Sequence, residues 1–226
     1  MPPLNRKQVK PTIFRGFTEV RRWNAVPRFT PFDFGVSWVM GFFHQDWTYD
    51  GDTAADVVAK TLAQSGDEQV LAIRRDAQIL GNLSSSTLEV LWEGGSQYFP
   101  AFERVGGGAE WTRTVVALCD ARLSESSDVP PLAGADVEDG VGCLDAVVAE
   151  IEATQFLEAE VRAALTDCAN RCTPEVAFRV LLRVMRCASD YPTLSPEQYT
   201  RLEAIGADLR YGEFVVDSVR YLIEQQ

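Results

Sequence analysis

The chain has 226 residues, 46% of them hydrophobic, so it can bury a substantial core and is not disordered throughout. Its formal net charge is −12, but residues 1–40 contain seven lysines and arginines against two acids, whereas residues 41–226 contain fourteen against thirty-one. An acidic body of this kind argues against nucleic acid or a membrane surface as a partner and favours a basic protein.

No segment has the pattern of a membrane span or of a secretory leader. No apolar run approaches the roughly 20 residues needed to cross a bilayer, and the charged N-terminus MPPLNRKQVK has no apolar stretch after it. We therefore expect a cytoplasmic protein. The five cysteines have no second cysteine pair or histidine near them to complete a zinc site, so we expect reduced, buried thiols without metal or cofactor.

The first 33 residues form a basic arm interrupted by five prolines, and no helix is predicted before about Phe34. Weak alternation over residues 13–20 indicates either a short strand or an extended arm. The pair Arg21 and Arg22 is suited to phosphates, but solvated side chains or ion pairs with the acidic body are the simpler interpretation.

Residues 34–123 have helical periodicity and are predicted to form a first helical domain. Thr53, with Asp56 three residues later, predicts a capping box at the start of a helix. Further helices are predicted over residues 68–80, 86–92 and 110–123, each bounded by glycine-containing turns. The expected core positions are Val57, Val58, Thr61, Leu62, Val70, Leu71, Ala77, Leu80, Trp111, Val115, Leu118 and Leu123.

Residues 124–140 are rich in Ser, Pro, Asp and Glu and predict a linker, followed by a second helical domain over residues 141–226. Thr173-Pro174 and Ser195-Pro196 each combine a capping side chain with proline at the first helical position. Leu194 and Tyr199 have the spacing of a hydrophobic staple. The last helix is predicted over residues 213–223, and the fold class is all-α. The other core positions assigned to helices are Val147, Ile151 and Ala153, then Leu157, Val161, Ala164 and Leu165, then Ala177, Val180, Leu181, Val184 and Ala188.

The densest motif is Phe42-Phe43-His44-Gln45-Asp46-Trp47, which is followed by the acidic turn Asp50-Gly51-Asp52-Thr53. Three interpretations are open. His44, the only histidine, could act with Asp46 as an acid–base pair, although residues two apart on a helix do not face each other. Asp46, Asp50 and Asp52 are hard oxygen ligands, but their spacing does not match an EF-hand loop. The aromatic side chains could instead lock the fold around a partly buried His44.

The same motif resembles the start of the immunity-protein domain of contact-dependent growth inhibition systems. Two later segments, Gln97-Tyr98-Phe99-Pro100 and Glu110-Trp111, match the Tyr/Pro-containing loop and the helix start of that family, so the resemblance covers about residues 34–123. It implies a non-enzymatic protein that binds and neutralises a secreted toxin domain, commonly a nuclease. An acidic inhibitor suits a basic nuclease. The basic arm and the second helical half lie outside the resemblance.

The resemblance does not transfer contact residues one by one, so exposed acids and aromatics near the motif are the candidates. The predicted toxin-binding residues are Asp46, Tyr49, Asp50, Asp52, Glu93, Tyr98 and Glu103. The predicted structural motif consists of Phe42, Phe43, His44, Gln45, Asp46, Trp47 and Trp111. The alternative class is a non-enzymatic acidic adaptor or regulatory protein that binds another basic partner.

Overall fold

The computed structural model describes residues 28–188 and 193–223. Within them the fold is all-α, as predicted: ten α-helices are joined by turns and short 3-10 segments, and the only β-type pairing is an isolated bridge between Leu194 and Ile223. The arm or strand expected over residues 13–20, together with Arg21 and Arg22, lies outside the described residues. None of the helices in the described part of the chain has the length and apolar character needed to cross a bilayer.

The helices divide evenly around the predicted linker, five before it and five after it. The first five are α1 (Gly35–Met40), α2 (Ala54–Ala63), α3 (Asp67–Leu80), α4 (Ser85–Gly94) and α5 (Gly108–Ser124). The second five are α6 (Leu144–Ala153), α7 (Ala159–Arg171), α8 (Pro174–Cys187), α9 (Pro196–Asp208) and α10 (Glu213–Asp217). The expectation of no helix before about Phe34 is confirmed for the described part of the arm.

Local capping chemistry sets the start of several helices. The predicted capping box is present: Thr53 Oγ1 accepts from the backbone N–H of Asp56, and the Asp56 carboxylate accepts from the backbone N–H of Thr53. Thr173 and Ser195 cap α8 and α9 in the predicted way, each with proline in the first turn. These side chains satisfy backbone donors that a helix leaves free at its N-terminus.

The N-terminus of α5 is satisfied from a neighbouring helix instead. Gly108 N–H donates to Glu89 Oε1 at 2.9 Å, and Ala109 N–H donates to Ser85 Oγ at 3.1 Å. Both acceptors lie on α4, so the start of α5 is fixed against α4 rather than by its own capping residue. This arrangement positions Trp111 one turn into α5.

Helix α8 is the most enclosed element, with eleven of its fourteen residues buried. It packs against α7 and α6 on one side and against α1 and α4 on the other. Its buried residues include the predicted core positions Ala177, Val180, Leu181 and Val184. Leu194 and Tyr199, the expected staple pair, are also buried.

Four details of the sequence-based prediction are wrong. Leu157 is buried but precedes α7, because extended backbone at Glu158 delays the helix to Ala159. The last α-helix ends at Asp217 and does not extend to residue 223. Beyond it, backbone hydrogen bonds join residues three apart, and a 3-10 segment (Arg220–Leu222) follows. Ala188 follows α8 in extended conformation and is half-buried. Several predicted core residues are only half-buried or exposed, because they lie at the edges of their helices: Thr61, Leu71, Leu118, Leu123, Ala153 and Val161.

The segment 124–140 contains a 3-10 turn (Gly134–Val137) in which Ala135 and Asp136 are buried. Residues from before and after this segment belong to one hydrophobic core cluster, in which Val36 and Leu91 from the first half join Leu165 and Val184 from the second. The division into two domains stays a prediction.

Candidate functional site

The motif at residues 42–47 forms the turn that follows α1. Helix α1 ends at Met40, and Phe43 N–H donates to Met40 O at 3.4 Å. Trp47 N–H donates to His44 O at 3.1 Å and opens a 3-10 segment (Trp47–Tyr49). The motif therefore redirects the chain between α1 and α2.

Phe43 is the anchor of this turn. Its side chain is fully buried, and its ring centroid lies 4.9 Å from Phe99 and 5.8 Å from both Trp47 and Trp111 in edge-to-face geometry. Trp92 completes the cluster at 5.7 Å from Trp111. Edge-to-face pairs add about 0.5–1.5 kcal/mol each to the free energy gained from burial alone. The aromatic cluster thus holds the turn in one conformation.

The three segments that carry the family resemblance meet in this cluster. Phe43 comes from residues 42–47, Phe99 from residues 97–100 and Trp111 from residues 110–111. A backbone hydrogen bond from Tyr98 N–H to Phe43 O, 2.9 Å long, joins the first two segments directly. Phe43 and Trp111 are buried, as a fold-locking motif requires, and the fold-locking role itself stays a prediction.

The expected partial burial of His44 is wrong. His44, Gln45 and Asp46 are exposed, while Phe42 and Trp47 are half-buried. The turn directs its aromatic positions, Phe42, Phe43 and Trp47, to the core and the three polar residues between them to solvent. Asp46 donates its backbone N–H to His44 Nδ1 at 3.2 Å, so the hydrogen bond reaches the backbone of Asp46 rather than its carboxylate. His44 therefore stabilises the turn locally.

The acidic turn that follows is ordered by its own side chains. Asp56 is held in the capping box with Thr53, and Asp50 forms a 3.0 Å ion pair with Lys60 across the first turns of α2. Both partners of this pair are about half exposed, so the pair adds little stability. Within the described residues, Asp52 has no basic partner and is exposed. The turn thus presents one unneutralised carboxylate beside the N-terminus of α2.

A groove of about 470 Å³ lies between this turn and the start of α5. Trp47 and Trp111 contribute aromatic surface to it, and Asp52 and Glu110 contribute carboxylates. The remaining lining residues are Thr53, Ala54, Ala55, Pro100, Arg104, Val105, Gly106 and Thr114. Its volume falls within the roughly 300–1,000 Å³ of ligand pockets.

The predicted toxin-binding residues are all exposed in the structure: Asp46, Tyr49, Asp50, Asp52, Glu93, Tyr98 and Glu103. Of these, Asp52 lines the groove, and Glu103 immediately precedes the lining residue Arg104. Glu93 lines a different cleft, of about 390 Å³, together with Glu158 and Glu160. Tyr49 and Tyr98 are 87% and 55% exposed, unusual values for large aromatic side chains.

Asp46, Asp50 and Asp52 do not converge on a common point as metal ligands. Among residues 28–188 and 193–223, no three side chains of His, Cys, Asp or Glu are grouped in a way that could hold a metal ion. Asp50 instead faces Lys60, and the backbone N–H of Asp46 faces His44.

Sequence reasoning missed a buried network of charges on the other side of α1. Arg179, fully buried on α8, donates to Asp76 Oδ2 at 2.8 Å, to Glu175 Oε1 at 2.6 Å and to the carbonyl oxygen of Phe34 at 2.6 Å. Arg75 bridges the same two acids at 2.7 and 3.1 Å. The only local signal was the four-residue spacing of Glu175 and Arg179.

Aromatic groups and the end of the arm close this network. Arg28 donates to Leu209 O at 3.0 Å and lies 5.0 Å from the ring centroid of Tyr211. Tyr211 Oη donates to Glu175, with 3.0 Å to both its backbone carbonyl and Oε1. Residues from the arm, α3, α8 and the segment before α10 therefore share one buried polar centre.

Burial and ion pairing have opposite effects on the pKa of Glu175 in this centre. Burial raises the pKa of Glu175, but Arg179, Arg75 and Arg28 outweigh it and lower the pKa to about 2. Burial raises the pKa of Tyr211 well above its usual value, and the charge of Glu175 raises it further. Glu175 is thus ionised and Tyr211 neutral at neutral pH. The centre uses its charges to hold helices together.

The cysteines are free, but only Cys119 and Cys168 are buried. Burial raises the pKa of Cys119 to about 12, which makes it an inert thiol. The expectation of uniformly buried thiols is wrong for Cys143, Cys172 and Cys187, which are half-buried near helix ends. Cys172 donates to Ile79 O at 3.2 Å.

Comparisons of the chain with protein-family models, with characterised protein sequences and with solved structures gave no match.

Proposed function

We propose that this chain is a cytoplasmic immunity protein, without enzymatic activity, that binds the cognate toxin domain of a contact-dependent growth inhibition system. The proposed toxin is a basic nuclease, and the chain neutralises it by covering its active site. One observation carries the proposal: the three segments of the family resemblance meet in the cluster of Phe43, Phe99 and Trp111.

The surface above the cluster has the properties that a tight inhibitor needs. Tyr49 and Tyr98 present aromatic area to solvent, and Asp46, Asp52 and Glu103 present negative charge around them. Because the aromatic cluster fixes the turn beneath them, little conformational entropy is lost when a partner binds. Exposed aromatics surrounded by charge are typical of interface hot spots.

The charge of the chain also fits the proposed partner. Residues 41–226 carry fourteen basic and thirty-one acidic side chains, so they attract a basic nuclease. The range of this attraction shortens as the ionic strength rises. Such steering raises the association rate more than it changes the strength of individual contacts.

Co-expression tests the proposal. The gene immediately upstream is inspected for a large secreted protein, the full chain is co-expressed with the C-terminal domain of any such protein, and cell survival and co-purification are measured. We expect survival and a stable complex whose association rate falls as salt concentration rises. A stable chain that leaves the cells unprotected would reject the immunity function. Binding without protection would favour the acidic adaptor instead.

A matched pair of variants locates the surface. Asp46→Asn combined with Asp52→Asn removes two exposed charges near the aromatic cluster, and Asp128→Asn with Asp145→Asn removes two exposed charges elsewhere. Both pairs change the net charge equally. We expect the first pair to slow association about tenfold more than the second, since nearby charges dominate steering.

A further inference from the structure

The groove between the acidic turn and α5 has the composition of a binding site for a peptide segment. Its pocket surface is mainly apolar, supplied by Trp47, Trp111, Pro100 and Val105. An apolar groove with a few placed charges is the usual form of a ligand site. Other cavities in the described part of the chain lack this combination: a cleft of about 490 Å³ between α3 and α5 has no tryptophan in its lining.

Trp111 carries an unusual polar atom at this groove. Its side chain is 1% exposed, and among the described residues its indole Nε1–H has no hydrogen-bond acceptor. The neighbouring Trp92, equally buried, donates its Nε1–H to Thr112 Oγ1 at 3.1 Å. A buried donor without an acceptor is unfavourable, because the group has lost its hydrogen bond to water.

The charged residues around the groove determine whether it favours a positively or a negatively charged ligand. Asp52 lines the groove without a basic partner among the described residues, whereas Glu110 is paired with Arg113 at 2.5 Å. Arg104 is the one basic side chain in the lining. Asp50 is paired with Lys60, so the exposed Asp46 and Asp52 supply the uncompensated negative charge on this side of the groove.

We propose that this groove binds a peptide segment in which an apolar residue is followed by arginine or lysine, supplied by the basic partner protein. The apolar side chain packs against Trp47, Pro100 and Val105, in front of the buried Trp111, and the basic side chain pairs with Asp52. This inference rests on the proposed function, because the segment belongs to the same toxin. It adds where on the chain the toxin segment binds and which side chains of that segment are recognised.

The indole N–H signals of the full-length chain provide a direct measurement. The chain has five tryptophans, and their signals are assigned from the single variants Trp47→Phe, Trp92→Phe and Trp111→Phe. The ¹⁵N-labelled chain is titrated with acetyl-Leu-Arg-amide and, as the charge-reversed control, with acetyl-Leu-Glu-amide. We expect the Leu-Arg compound to shift the signals of Trp47 and Trp111, with dissociation in the millimolar range, and to leave that of Trp92 unchanged.

A second pair of variants tests the ion pair. Asp52→Asn is expected to weaken binding of the Leu-Arg compound about two- to fivefold, the range of an exposed ion pair. Asp128→Asn, an exposed acid in the linker, is expected to leave it unchanged. Equal binding of the Leu-Glu compound, equal shifts at all five indoles or no shift at millimolar concentration would each overturn the groove assignment.

The toxin experiment separates this inference from the proposed function. If the chain protects cells and Asp52→Asn with Trp47→Phe protects as well as the parent with unchanged affinity, the partner's segment does not use the groove, and the immunity function stands. If the groove binds the Leu-Arg compound but the chain protects against no toxin, the immunity function fails and the assignment of the segment to a toxin fails with it.

Discussion

Gly35, the first residue of α1, has φ of +65°, in the left-handed region that favours glycine. A Cβ atom at this position would overlap Asp76 Oδ2 and lie 2.6 Å from Arg179 Nη1. The backbone of α1 at Gly35 therefore lies so close to the buried Asp76–Arg179 ion pair that a Cβ atom would displace it. The approach lets the next residue, Val36, donate its N–H to Asp76 Oδ2 at 3.0 Å.

Replacing Gly35 by alanine is expected to destabilise the protein by at least about 3 kcal/mol, because left-handed strain adds to displacement of a buried carboxylate. Urea unfolding followed by circular dichroism measures the change. Gly142→Ala is the control: no atom lies within 4 Å of its Cβ position, so it should stay within about 0.5 kcal/mol of the parent. Equal stability of the two variants would contradict the close approach.

The link between α3 and α8 depends on Arg179, which is fully buried and pairs with Asp76 and Glu175. Arg179→Met keeps most of the apolar stem but leaves two acids with only Arg75 and Arg28 to balance them. We expect a loss of about 3–5 kcal/mol, the usual cost of uncompensated buried charge. Chemical unfolding measures it.

Arg113→Ala is the matched surface change, since Arg113 also pairs with a carboxylate but is 70% exposed. Its effect should not exceed about 0.5 kcal/mol. If Arg179→Met cost no more than Arg113→Ala, the buried network would not be what joins the two helices.

Helix starts were predictable because their signals are local. Thr53, Thr173 and Ser195 act on backbone N–H groups within three residues, so the sequence alone located α2, α8 and α9 closely. The pairing of Asp76 with Arg179 spans 103 residues, and no local pattern contains it. The sequence likewise predicted that Asp52 is exposed. It could not reveal that Asp52 and Trp111 line one groove, because that depends on how α5 packs against the turn.

At the scale of the whole molecule, ionisation of Glu175 contributes to stability in a definite pH window. Its pKa in the folded chain is about 2, below the 4.5 of an unperturbed glutamate. Its contribution is therefore complete above about pH 4.5 and is lost as the pH falls toward 2, with a size on the order of 3 kcal/mol. Burial raises the pKa of Asp33 and Asp136, so these two acids act in the opposite sense.

Comparing the parent with Glu175→Gln isolates one of these acids. The difference in unfolding free energy is expected to be largest at pH 7, unchanged between pH 7 and 8, and to shrink steadily below pH 4.5. Asp33 is present in both proteins and cancels in the difference, whereas Asp136 cancels only in part, because the charge of Glu175 is one of the causes that raise its pKa. A difference that stayed constant down to pH 2.5 would show that Glu175 is not held ionised by its arginines.

The largest-scale prediction concerns whether the two helical halves fold separately. Helix α8 contacts α1 and α4 across the boundary, and a Cβ added to Gly94 of α4 would lie 3.5 Å from Val184 of α8. Apolar residues of both halves form one cluster, so separating the halves would expose surface on each. We expect one cooperative unfolding transition.

All five tryptophans precede residue 124; with Trp23, which lies outside the described residues, replaced by phenylalanine, the fluorescence of the other four reports on the first half. A dye on Cys143, which is half-buried, with the other four cysteines replaced by alanine or serine, reports on the second half. We expect both signals to change at the same urea concentration. A protease site inserted after Ser127 should yield fragments that stay together until denatured, because the shared core, not the linker, joins them. Independent domains would instead give two separate transitions and fragments that part under native conditions, which is the outcome the composition of residues 124–140 predicts.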